Sequence, residues 1–454
     1  MSHWADEAFF YHIYPLGLCG APAANDLSSV PEPRLEKLYK WLDHISGLGA
    51  NALYLGPVFE SSTHGYDTVD YYRVDRRLGT DDTLKALVDG SHRRGIRVIL
   101  DAVFNHTGRD FWAFKDLLVH GEGSAYRDWF CGVRFDKRSP YNDPFSYDGW
   151  NGHFNLVKLN LSNHAVCGHL LQAAKKWIKQ YNIDGLRLDA ADCVDINFLK
   201  QLSSFCRSIR PDFWLLGEVI HGDYRKWVHE GGLDSVTNYE CFKGLYSSHN
   251  DKNYFEIAYS YNREFAKNGM YEGIPLYNFT DNHDVNRLAS LLKDSRHLYT
   301  TYGLLFTMPG VPSLYYGSEW GLEGAKVKGS DSLLRPCLEL EQASFNAAHP
   351  ELIGSIRRLA SIRKSSRALC RGAYRQLIVN SEQFAFERRD GQESVVVVVN
   401  ASAVPARVEL PLQEAAGAAL IDILNNNEAF RVNRKKTTEL TVPPAWLRIL
   451  KVCA

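Results

Sequence analysis

Short apolar runs alternate with amphipathic stretches along most of the chain. "AFFYHIYPL" (8–16) and "NALYLGPV" (51–58) are nine and eight residues of near-continuous apolar character, the pattern of strands covered on both faces. Between them Leu35, Leu38, Trp41, Leu42 and Ile45 recur at helical spacing. "IRVILDAVFNH" (96–106) follows "DDTLKALVDGSHRRG", a helix pattern with Asp near its start and Gly at its end. Further strand candidates are "DGLRLDA" (184–190), "FWLLGEVI" (213–220), "LDSVTNY" (233–239), "IPLYNFTDN" (274–282) and "VPSLYYGSE" (311–319). Helix patterns such as "HLLQAAKKWIKQY" and "INFLKQLSSFCRSI" lie between them. Eight strand–helix units predict an α/β fold, a closed (β/α)8 TIM barrel.

Two segments break the rhythm. After His106 the chain runs through a long stretch rich in Gly, Asp, Asn, Pro and aromatics before the next helix pattern. A connection of that length in a compact domain is usually functional, and it predicts a small inserted subdomain over the barrel mouth at 107–160. From about 372 the helices stop. "YRQLIVN", "QFAFERRD", "SVVVVVN", "ARVELPL" and "WLRILKV" follow one another with only turns between them, which predicts a C-terminal antiparallel β-sandwich. The expected division is therefore a barrel of 1–106 and 161–370, the insert 107–160, and a sandwich of 371–454.

Composition narrows the classes. With 454 residues, 45% hydrophobic and 23% charged, the chain has an ordinary globular make-up. A net charge of −1 without a basic block gives no reason to expect nucleic acid or an anionic membrane as partner. The start "MSHWADEAFF" has no basic segment followed by an apolar one, so neither a signal peptide nor a membrane span is expected. The nine cysteines are scattered, odd in number and never at CxxC spacing, which suits reduced thiols in a cytoplasmic protein and argues against zinc. No feature bears on oligomeric state.

Active sites of such barrels lie at the C-terminal ends of the strands, and five candidate strands end in polar clusters. These are Gly65-Tyr66-Asp67 in the loop after strand two, Asp101 with Asn105 and His106, Arg187 with Asp189, Gly217-Glu218, and Asp281-Asn282-His283-Asp284. Each alone reads as a helix cap, a turn or a buried salt bridge; five in series on one barrel do not. Arg187 and Asp189 stand two apart, so both side chains leave the strand on one side. A cation there favours the ionised carboxylate.

"DAVFNHTG", "GLRLDAAD", "GEVIH" and "FTDNHD" resemble, in this order, the four principal motifs of the α-amylase superfamily of retaining glycoside hydrolases, glycoside hydrolase family 13. "LNLSN" (159–163) resembles the end of that family's inserted subdomain and "HGYDTVDYYRVD" its strand-two loop, so the resemblance spans the chain. It implies Asp189 as nucleophile, Glu218 as general acid and base, and Asp284 as the carboxylate that stabilises an oxocarbenium-like transition state. It further implies that Tyr66 stacks on the reacting sugar with support from Asp67. His106 and His283 would donate to the sugar hydroxyls, Asn282 would belong to the same binding group, and Asp101 would bond to Arg187 or its neighbours. Many relatives hold a structural calcium ion at the position of Asn105; the alternative is that Asn105 only bonds its turn, and no cofactor is required.

The chain departs from the family's secreted α-amylases. Their Lys-His pair, three and four residues past the nucleophile, is here Asp192-Cys193, and the first strand ends in the less common "YPLGLCG". "LDSVTNYECFKGL" and "GEVIHGDYRKWV" resemble instead the cyclomaltodextrinase, neopullulanase and maltogenic amylase branch, whose extra N-terminal β-domain is not expected ahead of a first strand near residue 8. Aromatic residues of the insert, Trp112, Trp129, Phe130, Phe145, Tyr147 and Trp150, serve either as sugar platforms or as that subdomain's own core. The family's α-1,6-specific members often carry a larger residue where Ala190 stands, so the resemblance implies α-1,4 bonds. The expected activity is hydrolysis of α-1,4 bonds in maltodextrins, cyclic ones included, with an α-glucan oligosaccharide as partner. A transglycosylase or small-oligosaccharide α-glucosidase is the alternative within the family. A non-catalytic binding or subunit protein is the alternative from another class.

Overall fold

The computed structural model describes residues 3–391, 393–414 and 416–453. Eight parallel strands, β1 (Phe10–Ile13), β2 (Ala52–Leu55), β3 (Arg97–Ala102), β4 (Gly185–Leu188), β5 (Trp214–Gly217), β6 (Ser235–Val236), β7 (Tyr277–Phe279) and β8 (Val311–Tyr315), pair in the order β6-β5-β4-β3-β2-β1-β8-β7. A parallel bridge from Thr237 to Tyr277 and the Asn238 N–H on the Tyr277 carbonyl (2.9 Å) join β6 to β7 and close the barrel.

Side-chain parity sorts each strand. Phe10, Ala52, Tyr54, Ile99, Trp214, Leu216, Tyr277, Phe279 and Val311 fill the interior as one cluster. Their neighbours Phe9, Tyr11, Leu53, Leu55, Val98, Leu100, Leu186, Leu188 and Leu215 face outward into the large core shared with the helices. Gly185 starts β4 because a Cβ there would lie 2.4 Å from the Trp214 carbonyl oxygen.

The helices begin where the sequence expected. Thr80 caps the helix Asp81–His92, with its hydroxyl accepting the Thr83 N–H, and Asp195 caps Ile196–Ile209 through Asn197 and Phe198. "LDSVTNY" shrinks to two strand residues. The Asn238 side chain accepts the Cys241 N–H (3.1 Å) and turns the chain into the helix Tyr239–Asn250.

The inserted segment forms a three-stranded sheet (His106–Gly108, Gly149–Trp150 and His153–Lys158) and the helix Trp112–His120. Phe114, Phe130, Phe145 and Tyr147 are its buried core. β9 (Ala373–Val379), β10 (Gln383–Asp390), β11 (Glu393–Asn400), β12 (Ala406–Pro411), β13 (Ala419–Asp422), β14 (Ala429–Arg431), β15 (Thr437–Val442) and β16 (Trp446–Cys453) build the C-terminal sandwich. Six strands form one sheet, β9-β10-β11-β16-β13-β14, and β12-β15 the other. β11 is apolar over Val395–Val399 because both its faces are covered there. Val396 and Val398 meet Val408, Leu410, Leu440 and Val442 of the second sheet, while Val395, Val397 and Val399 belong to the barrel-side core. All nine cysteines are free thiols. Among the described residues no helix is long and apolar enough to cross a membrane.

Candidate active site

The parity that fills the barrel with apolar side chains also delivers its charges. Asp101 shares the inward face of β3 with Ile99, and Arg187 that of β4 with Gly185; the two lie side by side in register. Asp189 and Glu218 follow just past the ends of β4 and β5, where Asp189 N–H still bonds Ala102 and Glu218 N–H bonds Leu188 (3.1 and 2.9 Å). Their backbones are thereby fixed by the ladder rather than by a free loop.

Arg187 is the hub. Its Nη1 contacts Asp101 (2.9 and 3.1 Å) and Asp189 Oδ1 (2.9 Å), and its Nη2 contacts Glu218 Oε1 (2.6 Å). Glu218 Oε2 accepts the Ala190 N–H (2.9 Å). Ala190 holds φ 44°, ψ 43°, a left-handed conformation costly for a residue with a Cβ, and this turn aims its N–H at Glu218. Asp284, whose side chain is about one-third exposed (34%), bonds His283 Nε2 (2.9 Å) and Arg335 Nη2 (2.8 Å).

Burial is the largest influence on all three carboxyls, and the outcome differs with their cations. It pushes Asp189 up, with the charges of Glu218, Asp101 and Asp284 adding and Arg187 opposing. It pushes Glu218 up as well, against Arg187 and with Asp284. Burial would also raise Asp284, but His283, Arg335 and Arg187 outweigh it and hold this carboxyl far below the usual range. Arg187 stands against Asp189, as the sequence expected, and its charge opposes the effect of burial there. Arg187 is divided among three carboxylates, and desolvation of Asp189 exceeds its share. Burial thus raises Asp189 and Glu218, which share Arg187, while its own cations hold Asp284 low.

The expected binding residues surround this group. Tyr66 hydroxyl bonds Asp101 (3.1 Å) and His283, and its ring lies parallel to the His283 imidazole at 5.5 Å. His106 Nε2 stands 3.9 Å from Asp189 Oδ2 and has no hydrogen-bond partner; burial first, then His64, lowers its pKa to about 3, so the ring is neutral. Trp150 stacks on His106 at 5.5 Å and alone of the insert's aromatic candidates is seen to touch this group. Asp67 accepts from Thr63 (2.6 Å) rather than from Tyr66, so its support passes through the loop. Asn282 spends its carbonyl oxygen on the Asp284 and Val285 N–H groups (2.7 and 3.1 Å) and its amide on Tyr239, which makes it the brace of the Asp284 loop.

Asn105 is buried, with its side-chain amide nitrogen against His106 Nδ1 (3.2 Å) and its backbone carbonyl accepting the Leu159 N–H (3.0 Å). Among the described residues no three His, Cys, Asp or Glu side chains are placed to share a cation.

Sequence reasoning missed Arg335. It reaches Asp284 and the His283 carbonyl (3.0 Å) from the loop after β8 and lies over the Tyr14 ring at 4.7 Å. "DSLLRPC" carries no motif, and nothing short of the closed barrel brings it to Asp284. Tyr54 was also missed; its hydroxyl donates to Asp101 (2.7 Å) from an interior position that reads as plain core.

A (β/α)8 barrel that gathers three carboxylates and a shared arginine at its C-terminal rim, beside neutral histidine and stacked tyrosine, has the build of a glycosidase. The chain belongs to the α-amylase family: the model of the alpha amylase catalytic domain matches residues 35–351, and that of the maltogenic amylase C-terminal domain matches 376–449. It is an enzyme of the α-amylase type. A cyclomaltodextrinase from Bacillus sp is 34% identical over 420 residues, 87% of this chain and 73% of that protein. A solved cyclomaltodextrinase superposes with a TM-score of 0.86 at 30% identity, covering 99% of this chain and 78% of the other. The cyclic α-maltosyl-(1→6)-maltose hydrolase of Arthrobacter globiformis superposes with a TM-score of 0.82 at 27% identity, over 100% and 99% of the two chains.

Proposed function

We propose that the protein hydrolyses α-1,4-glucosidic bonds of maltodextrins, cyclic ones included, by double displacement with retained anomeric configuration. The observation that carries this is the single Arg187 guanidinium bound to both Asp189 and Glu218. Two carboxyls sharing one guanidinium are near neighbours, and a retaining glycosidase needs its pair about 5–5.5 Å apart.

Asp189 attacks the anomeric carbon, and Glu218 gives its proton to the departing glycosidic oxygen. A sugar seated over the rim removes more water and strengthens the burial that already raises Glu218. Arg187 remains with Asp101 and Asp189, and the positive charge growing on the sugar ring favours the Asp189 anion. Asp284, held ionised by His283 and Arg335, stabilises that same charge. His106 donates from its unpartnered Nε2 to a sugar hydroxyl. Glu218, now a base, draws a proton from the water that releases the glycosyl group. If a sugar hydroxyl arrives in place of water, the same intermediate gives transglycosylation. The small, buried Ala190 beside the nucleophile supports α-1,4 selectivity, and the relatives named cyclomaltodextrinase support a cyclic substrate. Nine free thiols support a reducing, cytoplasmic setting, with an α-glucan oligosaccharide as the binding partner.

The test is a product time course on β-cyclodextrin, maltoheptaose and pullulan, with the anomeric protons followed by NMR from the first turnover. The α-anomer is expected first. Initial release of the β-anomer refutes double displacement, and inertness toward all three glucans refutes the substrate assignment.

A further inference from the structure

We propose that the N-terminal face of the barrel carries a second site, for a compact oxyanion (inorganic phosphate or the phosphate of a phosphomonoester), built around Arg388 and Tyr374. It lies at the opposite end of the barrel from Asp189 and Glu218. The segments that lead into β1, β7 and β8, together with β9 and β10, enclose a cavity of about 360 Å3 there. That is within the range of small-molecule sites, about 300–1,000 Å3.

Arg388 lines the cavity and is 1% exposed. Its Nε and Nη2 donate to the Gly372 carbonyl (3.1 and 2.8 Å) and its Nη1 to the Thr307 carbonyl (2.7 Å). A guanidinium has five N–H groups, so two remain unspent. Arg363, 2% exposed, donates to the flanking carbonyls of Phe306 and Met308 (3.1 and 3.4 Å), which sets the two guanidiniums side by side. Among the described residues no carboxylate lies within ion-pairing distance of either; every acceptor they have is a neutral carbonyl.

Two buried like charges without a counter-ion are unfavourable, and burial together with Arg363 lowers the pKa of Arg388 to about 9. Tyr374 lines the same cavity, is 4% exposed, and its hydroxyl has no partner. Two carboxyls also line the wall. Asp6 accepts the His3 N–H (3.0 Å) and faces Arg371 (3.8 Å), and Glu272 accepts the Asn268 N–H (2.7 Å). An oxyanion supplies what is missing, a negative charge and several acceptors for a guanidinium fork and a phenol.

The experiment is calorimetric titration of the full-length protein with phosphate, glucose 1-phosphate and chloride at matched ionic strength, on the wild type, Tyr374→Phe and Arg388→Lys. Saturable phosphate binding absent with chloride is expected, weakened about tenfold in Tyr374→Phe, the worth of one hydrogen bond to a charged group. Tyr374→Phe keeps the ring packing, so it decides the matter even if Arg388→Lys does not fold, and its activity on maltoheptaose is expected to stay at the wild-type level. Tighter binding of glucose 1-phosphate than of phosphate assigns the site to a phosphomonoester, and the reverse to the free oxyanion. No saturable binding by the wild type, or equal affinity in folded Tyr374→Phe, overturns the proposal.

Discussion

Glu264 is a carboxyl inside the protein with no cation in pairing distance among the described residues. It is fully buried and accepts from Asn238 Nδ2 (2.9 Å) and the Cys241 thiol (3.4 Å), while the neighbouring Arg263 is committed to Glu240. Burial pushes its pKa from 4.5 to about 7, against the lowering effect of those hydrogen bonds. The folded protein therefore holds this proton more tightly than the unfolded chain. The associated stability is complete below about pH 4.5 and is lost as pH rises through about 7. At about 1.4 kcal/mol per pH unit the loss is about 3 kcal/mol. An unfolding entropy of about 2.1 cal/mol/K per residue makes that about 3 °C in Tm for a chain of this size. Glu264→Gln keeps the shape and one acceptor but cannot titrate. Scanning calorimetry of both proteins at pH 5, 6, 7 and 8, at one scan rate, isolates the group, because every other titration is common to the pair. The Tm of Glu264→Gln minus that of the wild type is expected to grow by about 3 °C from pH 5 to pH 8. A difference that stays constant with pH, or shrinks, refutes the reasoning.

Glu218→Gln should lower turnover of maltoheptaose by roughly 10²–10⁴, with a much smaller loss in glycosylation by a substrate with an acidic leaving group; equal loss on both contradicts the acid role. Arg335→Met removes the 2.8 Å contact that helps hold Asp284 ionised. A charged hydrogen bond of about 1.5–3 kcal/mol predicts a fall of about 10–100-fold in kcat/KM. The acid limb of the pH profile should move to higher pH, and an unmoved limb shows that Arg335 does not act on Asp284. Ala190→Gly should leave Tm nearly unchanged, whereas Ala190→Val, a β-branched residue forced to φ 44°, should cost about 1–3 kcal/mol. Equal Tm for the two variants would show that this turn relaxes freely.

Much of the site was legible because strand parity and strand ends are local facts. Arg187 and Asp189 had to leave β4 on the same side, and Asp101, Glu218 and Asp284 had to stand near the rim if their runs were barrel strands. The valine run of β11 was legible as a strand, and the structure covers it on both faces. The exact partners were not legible. Nothing local tells that Asn282 is consumed by the Asp284 loop or that Asp67 bonds Thr63.

The chain by itself determined the order of its strands and helices, the switch to a sandwich after the barrel, and which acids reach the rim, because period, parity and capping act over a few residues. Tertiary structure alone decided how the charges are shared. Arg187 answers to Asp101, Asp189 and Glu218 at once, and Arg335 arrives at Asp284 from 51 positions away. Ionisation depends on burial and on every charge within a few ångströms, and those distances exist only when the barrel has closed.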